Sequence, residues 1–65
     1  MNQVRVLLAD DHAIVRTGIR KTIEEIADLV VLDEVGSGPE VFAALAREPV
    51  DCLLMDVTMP DFEPI

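Results

Sequence analysis

Three short strand-like segments, separated by two stretches with helical periodicity, constrain the fold of this chain more than any other feature. The segments run from Val4 to Ala9, Leu29 to Val35 and Cys52 to Met55. The first and third are almost continuously apolar, which is typical of parallel strands covered on both faces. The pattern therefore predicts an α/β fold with the order strand, helix, strand, helix, strand.

The segment from His12 to about Ala27 has the apolar period of a helix. Its isoleucine and valine residues recur at spacings of three and four, which gives one face for packing. Arg16 and Arg20 lie between these positions, so we expect them on the solvated side with a small contribution from ion pairs. His12, in the first turn, is interpreted as a solvated or packing residue.

The second helix has clear start and stop signals. Ser37, followed by Glu40 three residues later, forms the pattern of a capping box, so we expect the helix to begin near Gly38. Pro49 cannot continue a helix and also restricts the residue before it. The helix is therefore predicted to end near Arg47.

Two βαβ units that share a middle strand can be arranged in two ways. Right-handed crossovers make the sheet parallel in both cases. If the chain always turns the same way, the spatial order is 1-2-3; if the turn reverses, the order is 2-1-3 and the helices cover opposite faces. The strong apolarity of the first strand favours a central position for it. We therefore predict a doubly wound parallel sheet in the order 2-1-3.

Length and charge limit the partners of this chain. Its 65 residues are enough for one domain only, and a chain this short buries roughly 60% of its unfolded surface. The net charge of −8 disfavours direct binding to nucleic acid, and no apolar run is long enough for a membrane span. Cys52 is the only cysteine, so no intrachain disulfide can form. We expect a cytoplasmic protein that contacts neither nucleic acid nor membrane.

Aspartates follow the first and third strands. Asp10 and Asp11 come directly after the first strand and Asp56 directly after the third. In the 2-1-3 order these strand ends meet where the winding reverses, which is where open α/β sheets bind ligands. Two unit charges about 4 Å apart repel by roughly 4 kcal/mol at an effective dielectric near 20. A cation would offset this repulsion, and Mg²⁺ prefers such oxygen ligands.

Each aspartate also has an ordinary structural interpretation. Asp10 or Asp11 can cap the first helix, and Asp56 can be a turn residue. It is their joint occurrence, each after an apolar strand, that favours a magnesium site.

Two stretches carry a resemblance to a known family. V-R-V-L-L-A-D-D-H-A-I-V-R-T-G (4–18) and C-L-L-M-D-V-T-M-P (52–60) closely resemble the N-terminal half of a bacterial response-regulator receiver domain of the NarL/LuxR type. The resemblance covers almost the whole chain to Pro60. It implies a flavodoxin-like, doubly wound fold, of which residues 1–65 form a partial receiver domain with three strands, two helices and no output domain.

The resemblance also implies residue roles. In this family the aspartate matching Asp56 accepts a phosphoryl group from a sensor histidine kinase or a small phosphodonor. Asp10, Asp11 and Asp56 are then the side chains that hold Mg²⁺, with Asp11 the more direct ligand of the doublet, and the backbone carbonyl of Thr58 is a further ligand. The predicted function is two-component signal transduction by a phosphoacceptor module rather than an enzyme.

The chain also departs from the family pattern. The Ser or Thr and the Lys that hold the phosphoryl oxygens in receiver domains have no counterpart here, and Asp61 stands where glycine is usual. We therefore expect the phosphorylation switch to be incomplete in this chain. The third strand would also expose an unpaired edge, so we predict a homodimer or higher oligomer that covers it.

Two alternatives belong to other functional classes. The first is a self-associating structural fragment of a receiver domain without phosphotransfer activity. The second is a metal-dependent phosphohydrolase with an aspartate nucleophile, whose usual signature has another aspartate two residues later. Thr58 occupies that position here, and the Asp10-Asp11 doublet would be unexplained.

Overall fold

A computed structural model describes residues 3–56 and 59. Its three strands form one parallel sheet in the order β2-β1-β3. The predicted α/β class, element order and strand order are therefore confirmed. The elements are β1 (Val4–Ala9), α1 (Ala13–Glu24), β2 (Leu29–Val35), α2 (Gly38–Arg47) and β3 (Cys52–Met55).

The central strand β1 supplies four of the nine buried hydrophobic residues in the described part of the chain. Its last four residues, Val6 to Ala9, are all at most 3% exposed. Because alternate residues of a strand point to opposite faces, Leu7 packs against α2 while Leu8 borders a pocket beside α1. The two helices therefore cover opposite faces of the sheet, as the reversed winding requires. The cluster on the α2 side consists of Leu7, Ala9, Val35, Val41, Ala44 and Met59.

Ser37 caps α2 as predicted, and the Glu40 side chain of the predicted capping box contacts the Ser37 hydroxyl. Ser37 Oγ accepts a hydrogen bond from the Glu40 backbone N–H at 3.4 Å and donates one to Glu40 Oε1 at 2.9 Å. The side chain of Ser37 thus satisfies one of the N–H groups that a helix start leaves without a partner. Both predicted ends of this helix are confirmed.

The first helix is shorter than predicted, because it ends at Glu24 rather than near Ala27. The Ile26 N–H donates to the Ile23 carbonyl at 2.9 Å, so the chain turns more tightly there than an α-helix. Within α1, all of which is described, only Ile23 is buried, and Ile14 is 89% exposed. The apolar face predicted for this helix is therefore only partly covered by the described residues.

A register shift in β2 determines which acidic side chains face each helix. The pairing with β1 skips Leu32, so that Asp33 lies opposite Leu7 and Glu34 lies opposite Leu8. Because paired residues of neighbouring strands point to the same face, Asp33 faces α2 and Glu34 faces α1.

The expectation that Arg16 lies on the solvated side of α1 is wrong, whereas the side chain of Arg20 is 41% exposed and contributes an ion pair as expected. Arg20 Nη1 donates to Glu34 Oε2 at 2.7 Å, and Arg16 Nε lies 3.3 Å from Glu34 Oε1. The side chains of Arg16 and Glu34 are only 25% and 22% exposed. Both arginines turn towards the sheet because the register shift presents a carboxylate to them.

Within residues 3–56 and 59, no helix has the length and apolar character needed to cross a membrane.

Candidate metal and phosphoacceptor site

The sheet brings the ends of β1 and β3 to one edge. The two strands pair in parallel with Ala9 opposite Met55. The Asp56 N–H donates to the Ala9 carbonyl at 2.9 Å, and the Asp10 N–H donates to the Val35 carbonyl at 3.0 Å. Backbone hydrogen bonds therefore fix the starting points of both aspartate side chains.

Four side chains converge at this edge. Asp10, Asp11, His12 and Asp56 each contribute one potential ligand atom, and these atoms all lie within 4.8 Å of one another. Asp10 is 5% exposed, whereas the side chains of Asp56 and Asp11 are 21% and 29% exposed. The structure thus brings the three predicted aspartates together, while the roles assigned to them stay predictions. Thr58, the fourth predicted ligand, lies outside the described residues.

His12, interpreted from the sequence as a solvated or packing residue, is the fourth member of the cluster. Its ring is 62% exposed, as a solvated histidine would be, but Nδ1 lies 2.9 Å from Asp11 Oδ1, 3.2 Å from Asp10 Oδ1 and 3.6 Å from Asp56 Oδ2. The hydrogen bond to Asp10, and then the charge of Asp11, raise the pKa of His12 above its ordinary value of 6.5. The sequence signal for this contact is the position of His12 directly after the Asp10-Asp11 doublet.

Asp10 also has a local structural role. Its Oδ1 atom accepts a hydrogen bond from the His12 backbone N–H at 2.7 Å, which is the pattern of an Asx turn. The N-cap of α1 is His12 itself, whose side chain makes no capping hydrogen bond. The N-cap therefore lies two residues after Asp10 and one after Asp11, so neither aspartate is the N-cap of α1. The Asp10 carboxylate makes the Asx turn and also belongs to the cluster.

The donor set fits a hard divalent cation. Carboxylate oxygens are the ligands that Mg²⁺ takes in proteins, where it commonly binds one or two carboxylates and keeps several waters. Three carboxylates within the reach of one ion, two of them partly exposed, leave room for both kinds of ligand. The imidazole of His12 is a softer donor and is not needed for such a site.

An apolar pocket of about 450 Å³ adjoins the cluster on the α1 side of the sheet. Its polar members are two of the aspartates, and its other members come from β1, β3 and α1. The carboxylates therefore lie beside a surface of low polarity, where charges interact more strongly than in open water. The lining residues are Leu8, Ala9, Asp10, Val15, Ile19, Leu54, Met55 and Asp56.

Comparison with known proteins identifies similar sequences and folds. The chain is 40% identical over 57 residues to Response regulator UvrY of Escherichia coli (strain K12), covering 88% of this chain and 26% of that protein. It is 36% identical over 59 residues to a protein-glutamate methylesterase/protein-glutamine glutaminase of Paramagnetospirillum magneticum, covering 91% of this chain and 16% of that protein. A solved structure of the Salmonella typhimurium RcsB response regulator matches with a TM-score of 0.85 and 37% identity, over 92% of this chain and 30% of that one.

The chain therefore spans about a quarter of UvrY and less than a third of the RcsB chain. The family model described as "Response regulator receiver domain" matches residues 6–63, a range that includes all three aspartates. The fold, the strand order and the acidic cluster agree with this match. This chain belongs to the family of response regulator receiver domains, the signalling modules of two-component systems.

Proposed function

We propose that Asp56 is the residue of this chain that accepts a phosphoryl group, and that Asp10 and Asp11 hold Mg²⁺ beside it. The observation that carries this proposal is the convergence of the three carboxylates at the ends of two neighbouring strands. Their exposure supports different roles. Asp10 is buried, whereas Asp56 is exposed enough for a donor to reach it.

The transfer is a nucleophilic substitution at phosphorus. A carboxylate oxygen of Asp56 attacks the phosphorus atom, the bond from phosphorus to the donor's leaving group breaks, and an acyl phosphate forms. When bound, Mg²⁺ supplies positive charge that offsets the repulsion between the carboxylates and the incoming phosphoryl oxygens. Asp11, the more exposed member of the doublet, is the more direct ligand in this proposal, and the backbone carbonyl of Thr58 completes the ligand set.

The partner that supplies the phosphoryl group is proposed to be a sensor histidine kinase, with small acyl phosphates as alternative donors. Family membership supports this partner. The proposal is confined to receipt of the phosphoryl group, since relatives of this segment include both a regulator and a methylesterase. The DNA interaction named for RcsB is not proposed for this segment, because its net charge of −8 repels phosphates. A cytoplasmic location is part of the proposal, supported by the family and by the single cysteine.

The experiment is incubation of the chain with Mg²⁺ and acetyl phosphate, followed by intact mass measurement. We expect one phosphoryl adduct that hydroxylamine removes and that is lost in Asp56→Asn. Asp28→Asn, which makes the same change of charge at an exposed position, should keep the adduct. An adduct that persists in Asp56→Asn contradicts the assignment of the acceptor. No adduct on the parent chain favours the alternative of a structural fragment without phosphotransfer.

We also infer that a second copy of the chain covers the outer edge of β3. In the described part of the chain, β3 pairs with β1 on one side only and forms an edge of the sheet. Leu53 and Leu54 of this strand are 36% and 43% exposed, and an exposed apolar edge strand favours pairing with another strand. Light scattering at micromolar concentration should give a dimer or larger oligomer, and a folded monomer would contradict the inference.

A further inference from the structure

A guanidinium group from α1 contacts the backbone of the acidic site. Arg16 Nη1 donates a hydrogen bond to the Asp10 carbonyl oxygen at 2.8 Å. The Asp10 N–H is bonded to the Val35 carbonyl on the neighbouring strand. Both backbone polar groups of Asp10 are therefore satisfied, one by the sheet and one by Arg16.

The Asp10 carbonyl requires a partner from outside the sheet ladder. Strand β2 ends at Val35, opposite Ala9, so the ladder between β1 and β2 does not extend to Asp10. Asp10 is 5% exposed, and a buried carbonyl without a partner is costly. Arg16 thus supplies a hydrogen bond that the end of β2 does not.

Arg16 is itself held in place. Its Nε atom lies 3.3 Å from Glu34 Oε1, and the other oxygen of that carboxylate accepts from Arg20 Nη1 at 2.7 Å. The absence of a side chain at residue 36 makes room for the same guanidinium, because a Cβ atom on Gly36 would lie 3.2 Å from Arg16 Nη1. An ion pair with a carboxylate on β2 and the space left by a glycine after β2 therefore place the guanidinium beside the Asp10 carbonyl, although Arg16 Nε itself makes no hydrogen bond.

We propose that Arg16 is a positioning residue of the acidic site: by holding the Asp10 carbonyl, with Glu34 as its anchor, it fixes the orientation in which the Asp10 carboxylate faces Asp11 and Asp56. The expected effect of Arg16 on cation binding rests on the proposed function. The contact itself also has a consequence that does not involve metal. The Asp10 side chain that Arg16 orients accepts the His12 backbone N–H at 2.7 Å.

The first test is Mg²⁺ affinity, measured by calorimetry on the full chain. Arg16→Met removes the hydrogen-bond donor and keeps the aliphatic stem. Arg20→Met removes an equal positive charge from beside the same Glu34 carboxylate but breaks no contact with Asp10. We expect Arg16→Met to weaken binding about tenfold, as for other residues that orient metal ligands, and Arg20→Met to change it less than about twofold, as for an exposed ion pair. Arg16→Lys, which keeps a donor for the carbonyl, should recover most of the loss.

Equal losses in Arg16→Met and Arg20→Met, or no recovery with Arg16→Lys, would overturn the proposal, because charge or general stability would then explain the effect.

The second test does not need the metal and separates this proposal from the proposed function. Hydrogen exchange of the His12 amide reports on its bond to the Asp10 carboxylate. We expect faster exchange in Arg16→Met at conditions where the amide of Leu8 is unchanged, and parent-like exchange in Arg20→Met. Parent-like exchange in Arg16→Met overturns the proposal even if the chain binds Mg²⁺. Faster exchange supports it even if the parent chain binds none.

If Arg16→Met does not fold, Glu34→Gln takes its place, since it releases the anchor of Arg16 and leaves the donor present. Faster exchange of the His12 amide in that variant supports the proposal, and unchanged exchange overturns it.

Discussion

The acidic cluster should destabilise the metal-free chain, and replacement of Asp11 by Asn measures by how much. The ligand atoms lie within 4.8 Å of one another. At that distance two carboxylate charges repel by about 3.5 kcal/mol at an effective dielectric of 20 and by about 1 kcal/mol at that of water. The Asp11 side chain is 29% exposed, which places the value nearer the lower limit. We expect Asp11→Asn to raise the free energy of unfolding by about 1 to 2 kcal/mol, without Mg²⁺ and with His12 neutral.

Urea unfolding followed by circular dichroism is the assay, at a pH above the pKa measured for His12 in the same sample. With an m-value of about 1 kcal/mol/M for a chain of this size, the expected gain raises the midpoint by about 1 to 2 M. Mg²⁺ at a hundredfold excess over its dissociation constant stabilises the parent by about 2.7 kcal/mol. Because Asp11→Asn lacks a direct ligand, the parent should then be the more stable protein.

The control is Asp28→Asn, which makes the same change of net charge at an exposed position outside the cluster. It should change stability by less than about 0.5 kcal/mol. If Asp11→Asn is no more stable than Asp28→Asn in the absence of Mg²⁺, the carboxylates do not repel one another as argued, and the reason given for a cation at this site is refuted.

Three further predictions concern the rest of the chain. The pKa of His12 should lie above 6.5 in an NMR titration because carboxylates surround it. The contribution of protonated His12 to the stability of the fold is therefore complete below pH 6.5 and is lost as the pH rises through the folded-state pKa. A measured pKa at or below 6.5 contradicts the geometry. The pKa of Asp51 is held below 3.8 by its hydrogen bonds from Arg5, so the contribution of ionised Asp51 to the stability of the fold is present above pH 3.8 and is lost as the pH falls through the folded-state pKa. Asp51→Asn should therefore make acid unfolding, followed by circular dichroism, less steep. An unchanged acid transition counts against a stabilising Arg5–Asp51 pair. Leu7→Ala should lower the free energy of unfolding by about 3 to 5 kcal/mol and Leu8→Ala by about 2 to 3 kcal/mol. Leu7 is enclosed in a cluster, whereas Leu8 already borders an open pocket. Equal losses in urea unfolding would show that the pocket does not reduce the cost of the cavity that Leu8→Ala leaves.

The elements with local signals were predicted well from the sequence. Each strand is a short segment closed by a polar residue or a glycine, and α2 has a serine cap at one end and Pro49 just beyond the other. Helix α1 has no such stop signal. Glu25 and Ala27 are acceptable or good helix formers, so nothing local indicates that the chain turns after Glu24. Its end is set by the tight turn that leads the chain into β2.

The contacts of Glu34 could not be predicted for a different reason. In a regular strand the two faces alternate, and a pairing without a shift would have placed Leu32, not Asp33, opposite Leu7. The shift occurs in the pairing of two strands and leaves no mark in the local composition of β2. A shift of one residue exchanges the faces of Asp33 and Glu34, and therefore decides which acid meets Arg16.

The site depends on the order of the strands more than on the presence of the aspartates. Neighbouring strands lie about 4.8 Å apart, so in the order 1-2-3 the ends of β1 and β3 would be separated by about 10 Å, with β2 between them. Mg²⁺ binds its ligands at about 2.0 to 2.1 Å, so one ion could hold both carboxylates only if the two side chains extended fully towards each other across the end of β2. In that arrangement Asp56 would be an isolated turn residue and Asp10 a residue of an Asx turn. The reversed winding makes Ala9 and Met55 neighbours, and it is this pairing that converts three ordinary strand-end acids into a cluster able to share one cation.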